Sequence, residues 1–295
     1  PDCWGVYTWG GGRIDRAAYP HIKGFPITLN WANVEPRNGQ FAFEESLGKS
    51  LRTAHENDFY VHLMLWVVPN SPQWLYENGV PKVDAPARIN PFRREVKPDY
   101  PYYFDEDYKR FFHRLIRAFG DYVRNLPPEL QSRVLFVQSA EGSTGDGQPY
   151  KSQPTNPKYR ISPEQWSQFR METWEVYRQA FQKGFDRPIP LLVNNDANGK
   201  EEHEWLLKNL DVIGCKQGMF SHGYHISEEQ DRIAEWRAFL AKAQSLGKTV
   251  FTRGEQDGEW NICGWSKQNP EQAFYWSGIY ALHCGLDLWN IPADA

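Results

Sequence analysis

Val134-Leu135-Phe136-Val137-Gln138-Ser139-Ala140-Glu141-Gly142 and Thr249-Val250-Phe251-Thr252-Arg253-Gly254-Glu255 are built alike: a short apolar run, then a Glu beside a Gly. A run of this length bounded by a turn residue reads as a buried strand. The adjacent Gly lets another molecule approach the backbone closely. Working outward, further strand candidates are Trp4–Trp9, Pro26–Trp31, Tyr60–Trp66, Pro190–Asn194, Val212–Gln217 and Leu286–Ile291. With Val134–Ser139 and Thr249–Arg253 they make about eight.

Amphipathic segments separate these runs. Across Asp105–Leu126, residues Tyr108, Phe111, Phe112, Leu115, Ile116, Phe119 and Tyr122 recur at spacings of three and four, one apolar helix face. Ser162-Pro163 opens a second helix, closed by Gly184. Ser227 and Gly247 bracket a third, and Asn269-Pro270 opens a last one running to about His283. Alternating strand and helix imply a mainly parallel sheet. Eight units favour an α/β fold closed into a (β/α)8 TIM barrel, and residues 1–295 read as a single barrel domain. Gly10-Gly11-Gly12 lacks the later glycine of a dinucleotide-binding turn. The chain stops at Ala295, directly after the eighth strand, so the last outer helix is expected to be missing from it. Pro1-Asp2-Cys3 reads as a processed start.

Composition narrows the function. The 33 basic and 37 acidic residues nearly balance, at −4, which argues against a nucleic-acid partner. No run of about 18 apolar residues marks a membrane span. No His, Asp, Glu or Cys cluster has metal-ligand spacing, so neither metal nor cofactor is expected. Cys3, Cys215, Cys263 and Cys284 read as buried thiols or at most one disulfide. Aromatic residues reach 15%, with 13 Trp. They fit a Trp-rich core or, because several stand at strand ends, platforms for the apolar C–H faces of sugar rings.

Barrels place their active sites at the C-terminal ends of the strands. Two long connections, Val67–Phe104 and Gly142–Ile161, lie on that side and read as functional loops. By count, Glu141 ends strand four and Glu255 ends strand seven, nearly opposite each other. Two carboxyl groups facing each other across a glycosidic bond are what retaining hydrolysis requires. The pairing makes Glu141 and Glu255 a candidate catalytic pair.

The stretch Asn30-Trp31-Ala32-Asn33-Val34-Glu35-Pro36-Arg37-Asn38-Gly39-Gln40-Phe41-Ala42-Phe43 and the following Pro72-Gln73-Trp74-Leu75 resemble blocks of bacterial β-galactosidase-like enzymes. These belong to the clan of retaining barrel glycosidases called GH-A. That clan carries its acid/base on strand four and its nucleophile on strand seven, so the resemblance implies Glu141 as the acid/base and Glu255 as the nucleophile. The resemblance covers most of the chain, in short motifs. It implies a carbohydrate substrate, a β-linked galactose-containing glycan cleaved by double displacement, and Trp289 as the floor of the reacting subsite. Trp31, Trp66 and Asn30 are further candidate substrate contacts. One position departs: the clan's Asn before the acid/base is Ala140 here, with Asn194 or Asn195 as the candidate replacement.

Other polar residues have blander readings beside the functional one. Glu35 reads as a loop brace. Asp257 and Glu259 are alternative nucleophiles. His222, Tyr224 and His225, after strand six, are candidates to hydrogen-bond the nucleophile or a sugar, or are ordinary loop residues. His62 reads as a core histidine. Arg88, Arg93, Arg94 and Lys97 form a solvated run, or line a cleft for an anionic polysaccharide. A polymer substrate leads to the expectation of a secreted or periplasmic protein. The rival reading is a non-catalytic carbohydrate-binding barrel that kept its aromatics.

Overall fold

The fold is seen in a computed structural model. It describes residues 2–9, 11–68, 71–86, 100–143, 147–194, 199–216, 230–255, 268–283 and 285–292, with the backbone alone at 230–233. Eight strands are paired in parallel: β1 (Gly5–Thr8), β2 (Ile22–Asn30), β3 (Tyr60–Trp66), β4 (Val134–Gln138), β5 (Leu191–Asn194), β6 (Val212–Lys216), β7 (Thr249–Glu255) and β8 (Leu288–Ile291). Each pairs with its neighbour in sequence, and β8 closes on β1, as expected of the (β/α)8 barrel.

Outer helices follow six of the strands: α1 (Lys49–Glu56), α2 (Glu106–Arg124), α3 (Pro163–Gln182), α4 (Lys200–Asn209), α5 (Gln230–Ser245) and α6 (Pro270–His283). Their ends are set by local chemistry. Asp105 caps α2 by accepting from the amides of Asp107 and Tyr108. Ser162 and Gln165 form a reciprocal capping box at α3. The α2 stripe expected from spacing is the buried one. Tyr108, Phe111, Phe112, Leu115, Ile116 and Phe119 pack into the layer between strands and helices, where Phe43 stacks on Phe119 at 5.4 Å.

Three boundaries differ from the sequence reading. β2 begins at Ile22, before Pro26, whose missing N–H the parallel ladder accommodates. Trp31 does not end β2; it opens a helical turn, Trp31–Val34. β7 runs on through Gly254 to Glu255, so the carboxylate belongs to the strand rather than to a loop. The connection after β3 carries its own structure, a helical turn Gln73–Glu77 and a two-stranded antiparallel ribbon joining Lys82–Val83 to Tyr100–Pro101. On α6, Tyr275, Trp276, Ile279 and Leu282 are exposed. Cys3 and Cys215 are free thiols, and burial pushes the Cys215 thiol up to about 12. Cys263 and Cys284 lie outside the described residues.

Strand side chains alternate between the barrel interior and the helix layer. Tyr7, Phe136, Leu192, Phe251 and Leu288 form a separate apolar cluster that fills the lower interior. Small residues make room for it. A Cβ on Gly214 would lie 2.5 Å from the Phe251 ring, and one on Gly24 would lie 1.8 Å from the Tyr60 carbonyl oxygen. Because the Gly24 obstacle is backbone, no rotamer change relieves it. Gly24→Ala is therefore expected to destabilise the fold by at least the roughly 1–3 kcal/mol typical of overpacking. Urea unfolding midpoints at unchanged slope check this.

Candidate active site

Above the apolar plug the interior turns polar. Arg253 is fully buried and lies across the barrel. Its Nε donates to Asn290 Oδ1 of β8 at 2.8 Å, its Nη1 to Gln138 Oε1 of β4 at 2.8 Å, and its Nη2 to Glu255 Oε2 at 2.8 Å. Gln138 in turn donates to Asn194 Oδ1 of β5 at 3.2 Å. The Trp9 ring lies 5.4 Å from the guanidinium carbon. His62 stacks on Phe136 at 4.8 Å, also fully buried. Burial, and then the nearby Arg253 charge, hold its pKa well below the usual histidine range, so the ring is neutral.

Glu255 stands at the mouth, its side chain 12% exposed. Lys216, the last residue of β6, places its ammonium directly on Oε1, while Arg253 holds Oε2. Burial raises the carboxyl's pKa, but the two cations and their hydrogen bonds more than offset this and bring it down to about 2. The group is therefore a fixed anion at neutral pH. Among the described strand-end residues on the inward face, Glu255 is the carboxylate.

Glu141 is placed differently. Counting by twos from Phe136 and Gln138, the inward position is Ala140, and Glu141 falls on the outer face. Its side chain is fully buried against α3, where Oε1 accepts from Ser139 Oγ and Trp174 Nε1. Oε2 has no hydrogen-bond partner and lies 3.9 Å from Arg170 Nε. Arg170 also pairs with Glu202 of α4 at 2.9 Å and donates to the Asn194 carbonyl oxygen. The expectation that Glu141 faces Glu255 across a cleft is corrected accordingly. This carboxylate ties the end of β4 to α3, because its strand parity points it outward.

The aromatic candidates divide in the same way. Trp31 is fully buried against Trp74, Tyr108 and Phe112, and its Nε1 donates to Glu35 Oε2 at 2.8 Å. With no surface exposed, it is a core residue and not a sugar platform. Trp289 points outward, stacked on Phe274 of α6 at 5.1 Å, and not into the barrel. Trp66 shares the inward face with Met64, to whose sulfur its Nε1 donates at 2.8 Å, and it stays half-buried at the mouth. Asn30 is its register partner on β2. Asn194 is buried inside the barrel. Glu35 is the brace its context suggested: it accepts from Trp31 Nε1 and from the Gly39 amide at 2.7 Å, and it pairs with Arg114. His222, Tyr224, His225, Asn195, Asp257, Glu259, Arg88, Arg93, Arg94 and Lys97 lie outside the described residues.

Sequence reasoning missed Lys216, Arg253, Gln138, Asn290, Arg170 and Trp174. Arg253 was within reach, since it precedes Glu255 by two and so shares its face. Lys216 ends an apolar run as Glu255 does. Nothing in the spacing of α3 singles out Arg170 or Trp174. Among the described residues no group of His, Cys, Asp or Glu is placed to hold a metal ion, and no helix is long and apolar enough to cross a membrane.

No family model matches the chain, and no curated protein matches it. Solved structures do match in fold. The catalytic domain of β-amylase from Paenibacillus polymyxa superposes with a TM-score of 0.59 at 10% identity, covering 98% of this chain and 92% of that one. Endo-glycoceramidase II from Rhodococcus sp., in a cellobiose-like imidazole complex, gives 0.58 at 12%, covering 98% and 72%. Thermotoga maritima Cel5A in complex with mannotriose gives 0.53 at 10%, covering 99% and 90%. At such identities the likeness establishes the barrel, and the site must be argued from its own residues.

Two outcomes follow from the buried charges. Arg170→Met leaves Glu141 and Glu202 without their cation and is expected to cost about 3–5 kcal/mol in chemical denaturation. The pH dependence has two limbs. An unfolded histidine protonates near about 6.5, while folded His62 resists, so stability falls as pH drops below that value. Glu255 contributes stability that is complete above the ordinary glutamate value of about 4.3 and is lost as pH falls toward about 2. Unfolding midpoints measured from pH 8 downward check both, and Glu255→Gln removes the Glu255 contribution to the second limb.

Proposed function

We propose that the chain is a glycoside hydrolase whose nucleophile is Glu255, acting by double displacement. The observation that carries this reading is a carboxylate fixed in its anionic form at the C-terminal mouth of a barrel. It is gripped from two strands and leaves no described second carboxylate on the inward face to share its charge. An attacking carboxylate must be ionised and aimed before substrate arrives. Here the strand ladder fixes the backbone, Arg253 fixes one oxygen, and Lys216 holds the other. The fold's resemblance to enzymes named for carbohydrate substrates agrees with this. So does Trp66, an indole held at the rim by its bond to Met64, where it offers a face to a sugar ring. The resemblance of the Asn30–Phe43 stretch supports a β-linked, galactose-containing oligo- or polysaccharide as substrate, with a secreted or periplasmic location to match.

A second reading, a non-catalytic carbohydrate-binding barrel, is favoured by one observation: the strand-four carboxylate is packed against Trp174 and not beside Glu255. Hydrolysis separates the two. The glycosidase reading expects reducing ends to be released from at least one member of a panel of galactans, glucans and mannans. It also expects Glu255→Gln to abolish release. In Glu255→Ala, azide is expected to restore cleavage of an activated aryl glycoside with inversion at the anomeric carbon. Glu141→Ala is expected to lower the unfolding temperature and to show no azide rescue. Binding of a polysaccharide with no release of reducing ends from any substrate establishes the binding module instead. Trp66→Ala is expected to weaken substrate binding by about 0.5–1.5 kcal/mol beyond the area lost, read from KM or a titration.

A further inference from the structure

Two cations grip Glu255, and they are not equivalent. Arg253 uses all three edges of its guanidinium, on Asn290, Gln138 and Glu255, and so is part of the barrel's internal frame. Lys216 comes from the neighbouring strand, in register with Arg253, and its ammonium meets the oxygen that Arg253 does not hold. It is 5% exposed, so the contact is shielded from solvent screening. In register, Asn194 lies beside Lys216 and Asn290 beside Glu255, both uncharged.

We infer that Lys216 is a positioning residue that sets the ionisation of Glu255 and, with it, the rate at which a sugar bound to Glu255 is released. This rests on the reading of Glu255 as nucleophile. With an aryl glycoside, the C1–oxygen bond to the aryl group breaks as a Glu255 oxygen bonds to C1, and the phenolate departs with its electron pair. The ester so formed carries no charge, and Lys216 and Arg253 lose the anion they were paired with. Water then attacks C1, its proton passes to the buffer, and the C1–Glu255 bond breaks with its electrons returning to the carboxylate. That second step restores the ion pairs, so a nearby ammonium favours it. Removing the ammonium makes the carboxylate more basic and a poorer leaving group.

Lys216→Met, Lys216→Gln and Lys216→Arg, each checked for native near-ultraviolet circular dichroism, test the inference with two measurements. The first is the carboxyl carbon resonance of Glu255 in glutamate-labelled protein, assigned through Glu255→Gln. In the unsubstituted protein and in Lys216→Arg, Glu255 stays ionised over the pH range where the fold persists. In Lys216→Met and Lys216→Gln its midpoint rises by about one unit or more, the usual effect of losing one close opposite charge. The second is the hydrolysis of a 4-nitrophenyl glycoside. In both neutral variants kcat falls by about tenfold, the equivalent of one unit, and KM falls with it as the ester accumulates. The acid limb of the pH–rate profile moves upward, and Lys216→Arg recovers most of the rate. A Glu255 midpoint unchanged in Lys216→Met overturns the inference. A midpoint that rises in a protein hydrolysing no glycoside upholds the pairing and overturns the glycosidase reading.

Discussion

A guanidinium buried inside the barrel is the constraint on which the upper half of this molecule depends. Removing Arg253 from water costs several kcal/mol unless its donors are met in good geometry. The barrel meets them with Asn290 from β8, Gln138 from β4 and Glu255 on its own strand. Gln138 comes from a strand three places around the ring from β7, so one side chain cross-links the barrel through its interior. Below it the apolar plug of Tyr7, Phe136, Leu192, Phe251 and Leu288 keeps water out. Its dryness makes the bonds above it strong, and it also makes any unmatched polar group there costly.

A second ionic network lies outside the strands and has a different task. Glu141, Arg170 and Glu202 join the end of β4 to α3 and α4, and Arg170 reaches the Asn194 carbonyl at the end of β5. Burial raises the Glu202 pKa, with Arg170 pulling the other way. Asn194 belongs to both networks. Its main chain is held from the helix layer, and its side chain accepts from Gln138 within. The outer network thus helps to fix a strand end whose inward side chain belongs to the site.

The alternation of strand and helix was legible in the sequence because burial imposes it. β3, β4 and β5 need apolar residues on both faces, and α2 needs its stripe at spacings of three and four. Caps such as Asp105 and Ser162 marked helix starts because short polar side chains satisfy the first free amides. The position of Glu255 was legible too, as a Glu beside Gly closing an apolar run. The direction of Glu141 was not read, although parity holds it: Phe136 and Gln138 face in, so Glu141 faces out. Trp31 and Trp289 misled for a related reason. A Trp at a strand end is equally at home against a helix, and which side it takes depends on one residue of register. The ion pairs formed by Arg170 join segments remote in sequence, and local pattern carries no trace of them.

Because β7 continues through Glu255, this carboxylate is aligned with Asn290 of β8 by the sheet's own register. It is the last residue of β7, so the sheet holds its main chain. In barrels, the connections beyond the strands vary most readily in length and composition. If Glu255 is the nucleophile proposed above, the reacting group and the surface that would select its ligand are separately inherited parts. The connections can be rewritten by insertion or replacement while the anion and its two cations stay in place. A scaffold divided in this way can acquire new ligands without having to reinvent its chemistry.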